Sequence, residues 1–143
     1  MALILADVGA QIILDAYLNN SWPASKDWTL KLFATNVTPA HNSVAGDFIV
    51  AVGGGYVNKT LSNGSWIVSA LNDPREGLYN TSITWTFTGR LTTNGTIYGY
   101  YIIDASDGVL LWAEKFEQSF TPISNGDQLI LTPKFQLSYG TPQ

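Results

Sequence analysis

The chain has 143 residues and a mass of 15.6 kDa, the size of one domain. Hydrophobic residues make up 45% and charged residues 13%, about half the charged fraction usual in a soluble domain, which excludes intrinsic disorder. A net charge of −4 leaves no basic surface for a phosphate backbone, so no nucleic-acid partner is expected; no cysteine and the single His41 exclude disulfides, thiolate chemistry and histidine-rich metal sites.

The N-terminal run MALILADVGAQIILDAYL is apolar but has no basic flank, and Asp7 and Asp15 interrupt it. It is expected neither to cross a membrane nor to act as a secretory signal, and the chain is expected to fold in a cytoplasm. Asp7 is placed to cap a helix over residues 8–18, with Val8, Ile12 and Ala16 at i, i+4 spacing. Gly9 weakens such a helix by about 1 kcal/mol relative to alanine. Its apolar side chains wrap most of the way round, so it must dock, either on its own domain or on a neighbouring copy. Residues 1–27 are read as this arm and a linker over 19–27. Leu3, Leu5, Val8, Ile12, Ile13, Tyr17 and Trp22 are the candidate interface residues.

Residues 28–143 carry the punctuation of an all-β domain. Trp28, Leu30 and Leu32 alternate with Thr29 and Lys31, which predicts a strand. Residues 37–45 read as an exposed loop, and Gly53, Gly54 and Gly55 suit a bulge or a close backbone approach. Segments 56–61 and 65–70 flank Asn63-Gly64, the signature of a hairpin with a type I′ turn. In 82–88, Ile83, Trp85 and Phe87 alternate with threonines, the clearest strand of the chain. Segments 96–103 and 109–116 flank Asp104–Gly108 as a second hairpin. Their near-continuous apolar runs predict burial on both faces, or on one face plus a subunit contact. A last strand pair, 128–132 and 134–138, follows a turn at 124–127, with Pro133 marking a bend or an edge. The sum is an antiparallel β-sandwich, jelly-roll-like, with a short N-terminal helix or arm.

Chemistry-bearing constellations are sparse. His41 lies in a loop with no second base near it in sequence, so no nucleophile–histidine–acid triad can be built. Asp104 and Asp107 could touch calcium, but they lack the full ligand register, and turn chemistry accounts for them. Glu114 and Glu117 would serve as acid and base only across a groove from an opposing carboxylate. The glycine run lacks the Lys-Ser/Thr of a phosphate loop. Trp85 and Trp112 sit in apolar strands and are expected in the core. Tyr98, Tyr100 and Tyr101 are the better surface candidates, although core or subunit interface is their expected role. Asn19, Asn36, Asn58, Asn63, Asn80 and Asn94 each begin N-x-S/T, which reads as turn chemistry rather than glycosylation. The chain is expected to be no enzyme and to need no metal or cofactor.

The ordered segments LKLFATNVTP, GGGYVNKTL, SWIVSA, ITWTFTG, TIYGYYIIDASDGVLLWAEKF and GDQLILTPKFQLS resemble a group of small virion proteins of tailed bacteriophages. Members of that group open with a segment similar to LADVGAQIILDAYL. The resemblance covers nearly the whole chain, rests on strand and turn patterns, and defines no site residues. It implies a virion structural protein. The expected role is a capsid decoration (cement) protein that binds the major capsid protein and copies of itself as a homo-oligomer, a trimer at quasi-threefold points. A mean hydropathy of +0.07 agrees with self-association. The other role within the class is a tail-fibre or baseplate component whose aromatic groove binds a host-surface glycan.

Overall fold

A computed structural model describes residues 3–19, 27–68 and 75–137. Along them run β1 (Leu3–Leu5), α1 (Asp7–Leu18), β2 (Trp28–Phe33), a 3-10 turn at Ala45–Asp47, β3 (Lys59–Leu61) and β4 (Trp66–Val68). They continue with β5 (Arg75–Tyr79), β6 (Ile83–Thr86), β7 (Ile97–Asp104), β8 (Leu110–Phe120), β9 (Gln128–Leu131) and β10 (Lys134–Leu137). Five strands form one antiparallel sheet in the order β1-β8-β7-β2-β3; β10-β5-β4 and β6-β9 form two smaller sheets. The fold is all-β and sandwich-like with an N-terminal helix, as the strand periodicities predict. Among the described residues, no helix is long and apolar enough to cross a membrane.

The five-stranded sheet is covered on both faces. On its inner face Leu30, Leu32, Tyr100, Ile102 and Trp112 pack against Tyr79, Trp85 and Phe87 from the smaller sheets. On its outer face Phe33, Tyr101 and Ala113 pack with Phe48, which stacks on Tyr101 at 5.1 Å and 22°. Phe48 arrives there because the segment after β2 turns back over the sheet, tied by Ala34 N to Ile49 O at 2.7 Å and Ala51 N to Leu32 O at 2.9 Å. Two-sided cover explains why β7 is buried almost end to end and carries no polar alternation.

Two features differ from the sequence reading. Asn63-Gly64 makes a turn but no hairpin: β3 pairs with β2, whereas β4 pairs with β5. Of the two turn residues only Gly64 has a positive φ, 84°, so the turn is not type I′, and it carries the chain from one layer to the other. Strands β9 and β10 do not pair with each other either. They pair with β6 and β5 respectively, and the buried Pro133 between them passes the chain from one small sheet to the next, its carbonyl accepting Tyr79 N at 2.9 Å. The hairpin of β7 and β8 forms as expected, with β8 running on to Phe120.

The leader docks on its own domain. Strand β1 pairs with β8, Leu3 opposite Glu114 and Leu5 opposite Trp112, and so becomes the edge of the main sheet. Helix α1 follows at once, and its N-cap is Ala6 rather than Asp7, with no side-chain cap. The Asp7 N–H instead donates to His41 O at 3.0 Å. Gly9 has a positive reason to be glycine: a Cβ there would stand 2.5 Å from Leu111 O, so its absence lets the helix lie on the backbone of β8.

Candidate functional site

Two concave sites lie on the inner side of the main sheet, at the two ends of β8. The first is a cavity of about 260 Å³ roofed by α1 and walled by both larger sheets. Trp28 enters from the start of β2, Trp66 from the start of β4 and Trp112 from β8. Their rings pack on one another: Trp28 on Trp112 at 5.1 Å and 82°, Trp66 on Trp112 at 6.0 Å and 71°, Trp28 on Trp66 at 5.7 Å and 59°. Edge-to-face contacts of this kind favour aromatic pairs beyond their buried area. Phe135 adds a fourth ring, 5.1 Å from Trp112. Leu5, Ile12, Ile13, Leu111, Val68 and Gly77 complete an almost wholly apolar lining, and Asn63 and Asp104 stand among it.

The nitrogens of these rings set the cavity apart. The Nε1 atoms of Trp66 and Trp112 are buried and have no hydrogen-bond acceptor among the described residues, although Trp112 is only 5% exposed. Trp85, equally buried, donates its Nε1–H to Val57 O at 2.9 Å, the usual solution for an indole in a core.

The second site is a wider groove of about 760 Å³. It opens because β9 and β10 diverge at Pro133 into different sheets, leaving the C-terminal half of β8 uncovered between them. Tyr100, Phe116 and Phe120 supply rings, and Glu114, Glu117, Gln118, Lys134 and Gln136 supply polar groups. Burial first, then the Glu114 charge, pushes the Tyr100 phenol well above its ordinary pKa. It therefore stays protonated and donates to Glu114 Oε2 at 2.5 Å. At one end Glu76 pairs with Lys134 at 3.3 Å and accepts Gln136 Nε2 at 2.6 Å. Those two contacts, Gln136 first, hold the Glu76 carboxyl below its usual range.

The residues singled out from sequence fall as follows. Leu5, Ile12 and Ile13 line the cavity, Val8 is exposed on α1, and Leu3 and Tyr17 lie in β1 and α1. Trp22 lies outside the described residues. His41 is exposed in its loop. Asp104 Oδ1 accepts Ser106 N at 2.7 Å and Asp107 Oδ1 accepts Val109 N at 3.0 Å, the turn chemistry expected of them. All three glycines of 53–55 have positive φ, and Cβ atoms there would meet Thr92, Gly89 O and Thr88, which is a close backbone approach. Trp85 and Trp112 are core residues, and Tyr100 and Tyr101, the better surface candidates of the sequence, are buried one on each face of the main sheet, in the core role expected of them. Glu114 and Glu117 line one groove together, which their spacing alone did not reveal. The cavity was missed because its tryptophans come from three distant strands. Its one sequence signal is a tryptophan at the head of two short apolar strands.

These features define an all-β, sandwich-like protein with an aromatic cavity under its N-terminal helix. The chain matches no protein-family model and no curated protein.

Proposed function

We propose that the protein works by apolar contact with neighbouring subunits and catalyses no reaction. In this reading it is a structural protein of a tailed-phage virion. Its place is the head surface, where it decorates the major capsid protein as a homo-oligomer, most simply a trimer. One observation carries the reading: the docked leader presents an apolar face that the described residues of its own domain leave uncovered. On α1, Leu14 is 57% and Leu18 72% exposed; in β4, Val68 at the cavity wall is 69% exposed and Ile67, on the other face of the strand, 62%. Strand β4 is also a sheet edge, and exposed apolar edges pair readily with other chains. A patch of this kind marks a contact surface, and a specific contact of about 1,600 Å² would cover it.

The test joins two measurements. Light scattering should give an oligomer for the wild type and a monomer for the Leu14→Glu/Leu18→Glu double variant. Expanded heads should bind the wild type and lose the double variant. A wild-type monomer that leaves heads undecorated would sink the reading.

The groove beside β8 favours a second role within the same class, a tail component that binds a host-surface glycan. Rings on the floor and carboxylates and amides on the walls suit the apolar and hydroxyl faces of a sugar. Glycan-array binding that falls at least tenfold in Phe116→Ala would favour that role; no binding by the wild type would remove it.

A further inference from the structure

The tryptophan cavity has chemistry that surface contact does not use. From its composition we infer that it is a binding site for a small neutral molecule, apolar over most of its surface and bearing one carbonyl-type acceptor. The inference stands independently of the assembly reading, because the described walls all belong to one copy of the chain.

Size sets the first limit. An apolar cavity of about 150 Å³ accepts benzene, so about 260 Å³ accommodates a ring or short chain of roughly ten heavy atoms. Polarity sets the second. Two buried indole N–H groups without acceptors among the described residues are donors whose desolvation none of those residues offsets, and buried donors are paired in the great majority of cases. A hydrocarbon would leave them so, whereas a carbonyl oxygen has two lone pairs to offer.

Charge sets the third. Asp104 is 8% exposed and lines the cavity, which disfavours an anionic ligand. A cation gains little from Asp104, whose Oδ1 already accepts the N–H and Oγ–H of Ser106, and the three indoles, in tilted and edge-to-face contact with one another, turn much of their faces to each other rather than to the space. A neutral ketone, ester or amide remains. Gly77 provides a way to close the site. It sits in β5 between Val68 and Phe135, it lines the cavity, and a Cβ there meets nothing nearer than Trp66 Cε3 at 4.0 Å. A β-branched side chain suits that strand position and would project into the space a ligand needs.

The test uses the full chain with 15N-labelled tryptophan and two isosteric probes, acetophenone and α-methylstyrene. The ketone should bind about tenfold more tightly than the alkene and move the Nε1–H resonances of Trp66 and Trp112, while that of Trp85 stays in place. Gly77→Val should abolish binding of both probes with the indole spectrum still that of a folded protein. Trp66→Phe, which removes one donor and keeps a ring, should shrink the preference for the ketone. Equal affinities for the two probes, binding that survives Gly77→Val, or no binding of either probe would overturn the inference. So would Trp66 and Trp112 resonances that move with protein concentration alone, which would assign the cavity to a side chain of a second copy.

Discussion

The two halves of β8 make opposite sites from one strand. Leu110–Ala113 is buried and gives Leu111 and Trp112 to an apolar cavity; from Glu114 onward the same strand lines a groove with carboxylates, an amide and two phenylalanines. Part of the difference is composition, LLWA against EKFEQSF. The rest is cover. The first half lies under α1 and against the β10-β5-β4 sheet, whereas the second lies where β9 and β10 separate into different sheets. What a strand offers a ligand thus depends on what closes over it as much as on its own residues.

Truncation should separate the halves most clearly. Trp112→Ala removes a ring that touches three others and should cost about 3–5 kcal/mol, read as a lower urea midpoint. Phe116→Ala, at a half-buried position, should cost no more than about half of that on the same scale. Equal losses would mean that the groove is as tightly packed as the cavity wall. A finer test is Tyr100→Phe, which deletes the donor to Glu114. Hydrogen bonds to charged groups contribute about 1.5–3 kcal/mol, and partial exposure of Glu114 puts the expected loss near the bottom of that range.

The roof of the cavity can be probed by adding one carbon. Gly9→Ala should gain about 1 kcal/mol of helix propensity and lose about 1–3 kcal/mol by pressing α1 off the Leu111 carbonyl. The net result should be a lower melting temperature, and a rise would mean that the helix is loosely seated. The smallest effect is expected in the turn before β9, at Asp127, which lines neither site. Its carboxylate accepts the N–H groups of Ile123 and Ser124 at 2.8 and 2.9 Å, and these bonds hold its pKa below the usual value. Because the folded value is depressed, its contribution is fully present above the unfolded pKa of about 3.9 and is lost as pH falls through the folded one. Asp127→Asn should therefore flatten the acid side of the stability profile relative to wild type, in denaturation midpoints at pH 5 and pH 2.5.

Much of the fold was legible because local periodicity reports which way side chains face. Trp28, Leu30 and Leu32, the threonine-backed strand around Trp85, and the β7–β8 hairpin all follow from alternation or from continuous apolar runs. Pairing partners were less legible. Asn63-Gly64 and Pro133 each announce a reversal of direction, but a reversal can join two strands of one sheet or hand the chain between layers. The choice is made by distant residues such as Leu61, which pairs with Trp28, and Phe135, which pairs with Gly77. Strand β5 went unread because REGLY carries no clean alternation. The cavity was invisible for a related reason: its character arises where three separate strands meet, and no window along the chain contains two of its tryptophans side by side.

The pairing of β1 with β8 also has a cost during synthesis. A ribosome delivers Leu3–Leu5 about a hundred residues before the strand that receives them, a wait of roughly 5–20 s at elongation rates of about 5–20 residues per second. For that interval the greasy leader is a nascent segment without its acceptor, in reach of holdase chaperones and of other nascent chains. Slower growth at low temperature, or added chaperone capacity, should raise the soluble yield, whereas the β7–β8 hairpin, closed by a short loop, can form as soon as it emerges.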